Sequence, residues 1–348
     1  MKLAFTGGGT LGHVLPALAV WDAVRSLDSS AEAFYIGGRG ERERKAVEDR
    51  GLRCFSISTG KLRRYFSLRN FTDIFRIIMG FFQALSILRR ERPDVLFSKG
   101  GYVSVPVVLA ARFLGIRTVS HESDLTLGLA NRINARFSDI VCLGFDSSLV
   151  DGRKYIHTGN PLRPDIRRLV GLKGEEEEGL ILVLGGSMGA RQVNALVESS
   201  LDALCPPFHI VHQCGRDAGQ GPVHPGYERY EYIDSQLPDL MSRAQLVVSR
   251  AGAGAIGEIE ALGKASLLIP LASASRGDQV ENAAWMEERG AAEVLHEGED
   301  FVAKVRQLML DDSRRRQLAQ RAQKLCMPDA ASLIAGLLVQ KRTAGRGQ

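Results

Sequence analysis

Three glycine-rich turns have the composition needed to hold a phosphate-bearing ligand with backbone N–H groups. They are Gly7–His13, Gly185–Arg191 and Ser249–Glu258, and each joins a short apolar run to a helical pattern. The first of these helices is predicted to begin around Pro16. Glycine lets the backbone turn tightly and approach a ligand, and a helix N-terminus adds positive potential. One such turn is also typical of close strand-to-helix packing, but three in one chain predict a site for nucleotide phosphates.

The first turn also satisfies G-x-G-x-x-G, the pattern of dinucleotide-binding oxidoreductases. In those enzymes an acidic residue after the second strand binds the cofactor ribose. Here the second predicted strand, Ala33–Ile36, is followed by Gly37, Gly38 and Arg39. The sequence therefore argues against a nicotinamide cofactor, and no cofactor of any kind is expected.

Two polar clusters follow predicted strands and carry the groups that sugar recognition requires. Residues 121–124 (His-Glu-Ser-Asp) end an apolar strand, and residues 275–279 with Asn282 follow another. Sugar hydroxyls need several fixed donors and acceptors at once, which these side chains supply. Either cluster could instead be a polar surface turn.

The charge of a diphosphate would have to be neutralised by the protein itself. No two aspartates stand two residues apart, so the D-x-D motif is missing and no metal is expected. Backbone N–H groups, helix N-termini and an arginine would then carry that charge, and Arg163 is the candidate. Glu258 could accept hydrogen bonds from two ribose hydroxyls, or could be a charge stabilised by its helix dipole.

Short apolar runs alternate with amphipathic stretches, which is the pattern of βαβ units and parallel sheets. The turn Gly159-Asn160-Pro161 and the acidic run Glu175–Glu178, predicted to be a solvated loop, separate two sets of strands. We predict an α/β fold with two Rossmann-like, doubly wound lobes facing across a cleft, at residues 1–160 and 161–327. The predicted strands are Lys2–Thr6, Ala33–Ile36, Val95–Ser98, Thr118–His121, Ile140–Leu143, Leu180–Leu184, His209–Gln213, Leu246–Ser249 and Ser266–Ile269.

Composition narrows the class of protein and its compartment. The 348 residues are 45% hydrophobic and 24% charged, which suits two domains with full-sized cores. Five scattered cysteines without a C-x-x-C pair argue for a reducing compartment and against a zinc site. The stretch before Gly7 is too short for a signal-peptide core, and no uncharged apolar run approaches the ~20 residues of a spanning helix. We therefore expect a cytoplasmic protein.

Positive charge is concentrated in the first half of the chain. Residues 1–160 carry 23 Lys or Arg against 15 Asp or Glu, a net of +8, whereas the remainder has a net of −3. This asymmetry indicates a polyanionic partner, either nucleic acid or an anionic membrane, unless it is an uneven surface without function.

The helical stretch Leu68–Leu88 has an apolar face flanked by arginines. Such a helix can lie in a membrane interface or supply a core stripe. Because Ile77, Met79 and Phe81 widen the face beyond one core stripe, membrane contact is favoured. The residues at helical spacing are Phe71, Ile74, Phe75, Ile78, Phe82 and Leu85.

Seven motifs occur together in the order typical of one family. They are Gly8–His13, Ser98–Tyr102, His121–Asp124 with Gly128–Asn131, Gly159–Arg163, Gly185–Ala190, Arg250–Glu258, and Ser275–Gln279 with Asn282. With these motifs the chain resembles the MurG family, peripheral-membrane N-acetylglucosaminyltransferases that complete the lipid-linked disaccharide of peptidoglycan. The resemblance runs from residue 3 to about 290, and the ordered set is highly specific.

The resemblance implies a GT-B fold, with the acceptor in the N-terminal lobe and the nucleotide sugar in the C-terminal lobe. A last helix, within residues 328–348, would return to the first lobe. The implied reaction is inverting transfer of N-acetylglucosamine (GlcNAc) from UDP-GlcNAc to the C4 hydroxyl of undecaprenyl-pyrophosphoryl-MurNAc-pentapeptide (lipid I), giving lipid II. The implied place is the cytoplasmic face of the cell membrane, bound peripherally to its anionic surface, with no nucleic acid partner.

The family motifs also imply roles for individual positions. The residues next to the donor sugar would be Thr10, Leu11 and Gly12, with Gln279, Asp278 and Asn282 holding that sugar. Arg163 and Ser187 would serve the diphosphate, and Ile233 would read uracil through its backbone. Diphosphate and ribose would be held by Ala253, Gly254, Ala255, Ile256, Gly257 and Glu258.

A general base is needed because a hydroxyl is a poor nucleophile near neutral pH. His13 is our choice, since a helix N-terminus disfavours the imidazolium form and keeps the ring neutral. Glu122 and Asp124 are the alternatives.

The sequence departs from the family at three places. Asp124 replaces a frequent Asn, Ala255 a common Thr and Leu127 a frequent Pro, which puts in doubt one sugar contact, one hydroxyl near the phosphates and the rigidity of one loop. Two other functions remain open. A glycolipid or diacylglycerol glycosyltransferase would share the donor site, and a non-catalytic nucleotide-sugar-binding protein would lack the base.

Overall fold

The structure is a computed structural model, and it describes residues 1–60, 69–172, 174–186, 189–216, 218–271 and 277–340, with the side chains of residues 69–72 left out. The chain divides into two compact units. The first contains residues 1–163 and the segment from Asp329 onward, and the second contains Pro164–Pro328.

Parallel strands and surrounding helices build the first unit. Its described strands are β1 (Lys2–Thr6), β2 (Glu32–Gly37), β3 (Arg53–Ser56), β4 (Val95–Ser98), β5 (Arg117–Glu122), β6 (Ile140–Leu143) and β7 (Tyr155–His157). They form a seven-stranded parallel sheet in the order β3-β2-β1-β4-β5-β6-β7. Its described helices are α1 (Leu11–Leu27), α2 (Glu41–Glu48), α3 (Arg69–Glu91), α4 (Ser104–Phe113), α5 (Leu129–Phe137) and, from the end of the chain, α14 (Ala330–Val339).

The second unit repeats this design. Its described strands are β8 (Leu180–Leu184), β9 (His209–Gln213), β10 (Tyr227–Tyr230), β11 (Leu246–Ser249), β12 (Ser266–Leu268) and β13 (Glu293–Val294). They form a six-stranded parallel sheet in the order β10-β9-β8-β11-β12-β13. Its described helices are α6 (Pro164–Arg167), α7 (Arg191–Glu198), α8 (Leu201–Leu204), α9 (Leu237–Arg243), α10 (Ala253–Leu262), α11 (Asp278–Glu288), α12 (Phe301–Leu310) and α13 (Asp312–Leu325).

When the strands of each unit are numbered along the chain, both sheets have the order 3-2-1-4-5-6, and the first unit has one extra strand at its edge. This is the strand order of the dinucleotide-binding doubly wound fold. The central strands are hydrophobic on both faces because helices cover both sides of each sheet. Leu3, Ala4 and Phe5 of β1, for example, are at most 1% exposed. The predicted α/β class with two Rossmann-like lobes is confirmed.

The nine strands predicted from the sequence are all present, although β12 ends one residue earlier, at Leu268. The four strands that sequence reasoning missed, β3, β7, β10 and β13, are the edges of the two sheets. Edge strands are short and partly polar, as Tyr227–Tyr230 shows, so they lack the continuous apolar run that identifies a central strand.

The prediction that the first helix begins near Pro16 is wrong. Helix α1 begins at Leu11 and includes Pro16. Proline lacks an N–H, so it removes the helix hydrogen bond that the carbonyl of Gly12 would accept. The cost is tolerable because α1 is anchored elsewhere: it packs against α14, and Val20, Val24, Ile334 and Leu338 are fully buried there.

One segment, Asp312–Val339, has the length and hydropathy of a membrane-spanning helix. It consists of two helices, α13 and α14, separated by residues 326–329 and assigned to different units. Core helices of folded domains meet the same criteria, and Ala331, Ile334 and Leu338 of α14 lie in the core of the first unit.

The acidic run Glu175–Glu178 is only partly the solvated loop that we predicted. Most of it is exposed, but Glu176 Oε1 accepts a 2.7 Å hydrogen bond from the buried Lys264 ammonium, and Glu177 pairs with Arg243. The run is therefore tied to the amino-terminal edge of the second sheet, beside β8 and β11, by ion pairs that composition alone does not predict.

Candidate active site

Each sheet has a topological switch point, between β1 and β4 in the first unit and between β8 and β11 in the second. Ligands of doubly wound folds bind outside the carboxyl ends of the strands at such points. The turns that leave these four strands include the three glycine-rich turns and the Ser98–Tyr102 motif. The topology therefore places the predicted motifs of each unit at the edge of its sheet where a ligand is expected.

His13 lies in the first turn of α1, where its N–H donates to the Thr10 carbonyl at 3.1 Å. Its imidazole packs against the turn that follows β4. The ring Cδ2 lies 3.3 Å from the point where a Cβ on Gly101 would stand. Burial lowers the pKa of His13 to about 4; the Lys99 ammonium lowers it further and the Lys99 backbone partly opposes the shift. At neutral pH the ring is uncharged and can accept a proton.

Glu122 is buried at the end of β5, and both of its carboxylate oxygens accept hydrogen bonds. One oxygen accepts from the N–H groups of Ser123 (2.8 Å) and Asp124 (3.2 Å), and the other from the Gly128 N–H (3.0 Å) and the Asn131 amide (2.9 Å). Burial and then Asp124 raise the pKa of Glu122, while the Gly128 and Asn131 donors and the Lys99 charge oppose the shift. Because its oxygens are engaged by four donors, Glu122 fixes the loop 122–128.

Asp124 is half-buried in the same loop. Lys99 lies beside it, at the end of β4, and donates from its buried Nζ to the Ser123 hydroxyl. Sequence reasoning included Lys99 in a motif but gave it no role. The available signal was a lysine directly after the predicted strand Val95–Ser98, whose first three residues are apolar, a place where a charge is costly unless it is paired.

In the second unit, the N-terminus of α10 presents backbone N–H groups. The first helical hydrogen bond runs from the Ile256 N–H to the Gly252 carbonyl at 3.0 Å, so the N–H groups of Ala253, Gly254 and Ala255 precede the helix ladder. Within the described part of the chain, a Cβ on Gly252 or Gly254 would meet no atom within 4 Å. The predicted set Ala253–Glu258 thus forms the first turns of α10, with Glu258 half-buried.

Arg250, directly after β11, is a candidate that sequence reasoning missed. Its half-buried guanidinium lies against Gly186, whose φ of +81° and lack of a side chain leave room for it. Burial lowers the pKa of Arg250, and no carboxylate among the described residues pairs with it. An arginine that belongs to the third glycine turn, packs against the second and has no described carboxylate partner is suited to an anion such as a diphosphate. Its signal in the sequence was an arginine between a buried strand and a glycine turn.

The polar residues of α11 hold neighbouring backbone. Asn282 is fully buried and donates to the Ala251 carbonyl at 3.1 Å, while Gln279 accepts from the Leu271 N–H at 3.2 Å. Asp278 begins the helix and is half-buried. Asn282 therefore positions the turn that leads into α10.

The remaining predicted positions are spread over both units. Thr10 and Gly12 are exposed and Leu11 is half-buried, all at the start of α1, and Arg163 is half-buried at the end of the first unit. Ile233 is buried, and its N–H donates to Gln213 Oε1 at 2.9 Å. Its carbonyl is therefore the candidate group for contact with the uracil ring. Ser187, Ser275 and Arg276 lie outside the described residues.

Among the described residues, no group of three or more His, Cys, Asp or Glu side chains is arranged to hold a metal ion.

Comparison with known proteins identifies the family. Residues 3–142 match the Glycosyltransferase family 28 N-terminal domain, and residues 180–334 match the Glycosyltransferase family 28 C-terminal domain. The UDP-N-acetylglucosamine–N-acetylmuramyl-(pentapeptide) pyrophosphoryl-undecaprenol N-acetylglucosamine transferase of Clostridium botulinum is 44% identical over 309 residues, 86% of this chain and 87% of that protein. The Clostridium perfringens protein of the same name is 43% identical over 314 residues, 86% of each chain. This chain belongs to the MurG family.

Solved structures agree on the fold. The crystal structure of Acinetobacter baumannii MurG has a TM-score of 0.77 at 24% identity and covers 97% of this chain and 98% of its own. A UDP-GlcNAc 2-epimerase from Neisseria meningitidis, bound to UDP-GlcNAc, has a TM-score of 0.68 at 15% identity, covering 98% and 100%. The resemblance stated from the motifs is therefore confirmed. The chain is a glycosyltransferase with the GT-B fold.

Proposed function

We propose that this MurG-family enzyme transfers GlcNAc from UDP-GlcNAc to the C4 hydroxyl of lipid I, with inversion, and releases UDP. The observation that carries the proposal is the 44% identity to enzymes named for this reaction, over 86% of the chain. A neutral, partly buried histidine at the switch point of the first unit and an amide-rich helix N-terminus in the second add the chemistry the reaction requires.

The donor is assigned to the second unit. The N–H groups of Ala253, Gly254 and Ala255 and the guanidinium of Arg250 bind the diphosphate, supported by Arg163 and Ser187. These donors stabilise the negative charge that develops on the leaving UDP as the anomeric C–O bond breaks.

Other positions bind the rest of the donor. Glu258 accepts hydrogen bonds from the ribose hydroxyls, near Ile256 and Gly257, and the Ile233 carbonyl accepts from the uracil N3–H. The sugar is contacted by Gln279 and Asp278, with Asn282 supporting the α10 turn through Ala251. By family position, Thr10, Leu11 and Gly12 contact the sugar.

His13 is the general base of the proposed reaction. The acceptor C4 oxygen attacks the anomeric carbon, its proton passes to the imidazole, and the bond to the UDP oxygen breaks. Asp124 is the alternative base, and turnover of His13→Ala decides between the two groups. Glu122 is disfavoured because both of its oxygens already accept hydrogen bonds.

The membrane-facing surface is assigned to α3. Five of its large apolar side chains are between 46% and 71% exposed, and Phe113 at the end of α4 is 67% exposed. Only a narrow opposite face, with Ala84, Leu85 and Leu88, is buried in the core. The exposed five are Ile74, Phe75, Ile78, Met79 and Phe82; Phe71 and the arginines at 63, 64 and 69 lie outside the described side chains.

An apolar helix face in a basic region suits the anionic surface of a membrane. We therefore place the enzyme peripherally on the cytoplasmic face, where its five free cysteines also fit a reducing compartment. The double variant Phe75→Glu/Phe82→Glu should lose binding to anionic vesicles, while Leu310→Glu, at an 80% exposed position of α12, should bind normally. Vesicle binding by the double variant at the level of the unsubstituted protein would refute this surface.

Incubation with labelled UDP-GlcNAc and lipid I tests the reaction itself. A labelled lipid-linked disaccharide is the expected product. Transfer only to diacylglycerol or to another glycolipid would show that lipid I is not the acceptor. Binding of the donor without any transfer would identify a non-catalytic nucleotide-sugar-binding protein.

A further inference from the structure

Lys99 is one of the largest fully buried side chains of the structure, at 1% exposure. Its N–H donates to the Thr6 carbonyl at 2.8 Å, and its Cβ lies 3.2 Å from the position a Gly7 side chain would take. The lysine is thus packed under the first glycine turn, at the switch point between β1 and β4. Burying an ammonium group is costly, so its surroundings must compensate for the charge.

The groups that compensate belong to the candidate active site. Nζ of Lys99 donates to the Ser123 hydroxyl, and the carboxylates of Glu122 and Asp124 attract it. The positive charge of Lys99 also lowers the pKa values of the His13 and His121 imidazoles. One buried cation therefore faces two carboxylates, Glu122 at the end of β5 and Asp124 just after it, and two imidazoles, one on α1 and one on β5.

The direction of each effect is consistent with this arrangement. Burial lowers the pKa of Lys99 to about 8, and the two carboxylates oppose that shift, so the ammonium form persists at neutral pH. The same ammonium, added to burial, keeps the pKa values of His13 and His121 low. Lys99 thus balances the carboxylates and disfavours a second positive charge on either histidine.

We infer that Lys99 is a positioning residue for glycosyl transfer: from under the first glycine turn, its buried ammonium holds residues 122–124 in place beside the His13 imidazole. This inference rests on the proposed role of His13 as general base. Asp124, which replaces a frequent asparagine of the family, makes the demand for a buried cation larger here. Without Lys99, the adjacent carboxylates of Glu122 and Asp124 would repel each other in a buried place.

The test compares Lys99→Met, which removes the charge at similar volume, with Lys99→Arg, which retains it. The pKa of His13 is read from the NMR shifts of its labelled ring, and kcat and KM are measured with UDP-GlcNAc and lipid I. For Lys99→Met we expect the pKa of His13 to rise by about one unit, because a nearby positive charge is lost. We expect kcat to fall on the order of tenfold, because the base is misplaced, with the KM for UDP-GlcNAc unchanged. Lys99→Arg should restore both values.

Asp124→Asn provides a second measurement, because it removes one of the two carboxylates that Lys99 balances. When Lys99→Met is added to Asp124→Asn, kcat should fall by a smaller factor than when Lys99→Met is made in the enzyme that retains Asp124. An equal fall in kcat in both cases would overturn the inference that Lys99 compensates the charge of Asp124. Lys99→Gln, which keeps a donor for Ser123, supplies the same readouts if Lys99→Met does not fold.

The inference is overturned if the pKa of His13 is the same with and without the Lys99 charge, or if Lys99→Arg behaves like Lys99→Met. Either result would mean that Lys99 only fills space. The role of His13 as base fails separately, through normal turnover by His13→Ala, and the proposed reaction fails through absence of transfer to lipid I. The NMR titration of His13 depends on neither result.

Discussion

The two units use the same strand order for different chemistry. In each, a serine ends the fourth strand of the sheet and a cation follows it: Ser98-Lys99 after β4 and Ser249-Arg250 after β11. Each cation packs against the glycine turn of the first strand of its unit, at Gly7 and Gly186 respectively. The positions are equivalent in topology, but their surroundings are not.

In the first unit, the cation is fully buried among titratable side chains. Lys99 faces Glu122, Asp124, His13 and His121, and the pKa values of Lys99, Glu122 and both histidines are displaced. In the second unit, Arg250 is half-buried and pairs with no carboxylate among the described residues. The first arrangement suits proton transfer and the second suits an anion, so one fold supplies a reaction centre and a binding site by changing what surrounds one position.

The largest expected effect comes from removing the proposed base. His13→Ala should lower kcat by ~10²-fold or more, the contribution typical of general base catalysis, and leave the KM for UDP-GlcNAc unchanged. Turnover of the purified variant with lipid I measures both constants. His296→Ala, at an exposed histidine of the second unit, is the matched control and should behave like the unsubstituted enzyme. Normal kcat in His13→Ala would end the distinction between the two units.

The second-largest effect is expected on donor binding by the second unit. Arg250→Ala should weaken UDP-GlcNAc binding by about 10- to 100-fold, since a charged hydrogen bond contributes ~1.5–3 kcal/mol. Calorimetry measures the Kd, and Arg316→Ala, on the exposed face of α13, is the control. If Arg250→Ala lowers kcat and leaves Kd unchanged, Arg250 belongs to the chemistry and the division of labour is wrong.

A moderate effect on stability should distinguish Glu122 from a base. Glu122→Gln replaces one acceptor oxygen by an NH₂ group facing backbone donors, so the free energy of unfolding should fall by ~1–3 kcal/mol. Thermal melting would show this as a lower Tm. An unchanged Tm together with complete loss of kcat would instead make Glu122 the base.

The smallest effect is expected from pH. With a His13 pKa of about 4, the imidazole is neutral throughout the physiological range. Since only the neutral ring accepts a proton, the His13 contribution to kcat should change by less than about twofold between roughly pH 6 and 8 and fall only as pH approaches 4. An acidic limb in the pH–rate profile near pH 6.5 would show that the ring titrates as if it were exposed.

Sequence reasoning predicted the centre of each sheet better than its edges. Strands such as β1 and β8 are continuous apolar runs because helices cover both of their faces, so the pattern identifies them. Edge strands such as β10 alternate with polar residues and resemble loops. The motifs identified which turns matter, because glycine and helix N-termini act through backbone geometry that is local in sequence.

The side-chain roles were less predictable because they depend on contacts between distant segments. Lys99 and Ser123 are 24 residues apart, and Gly186 and Arg250 meet only when β8 and β11 pair. Sequence reasoning named Glu122 as an alternative to His13 as the base. Its four hydrogen bonds, which decide against that role, come from the loop that folds back to Asn131.

The most direct test of the division between the units is calorimetric titration of UDP-GlcNAc into the unsubstituted enzyme and into His13→Ala. The account predicts one binding site with the same Kd for both proteins, although only the first turns over efficiently. A Kd that rises in His13→Ala as far as kcat falls, or no uptake of the donor by either protein, would contradict it.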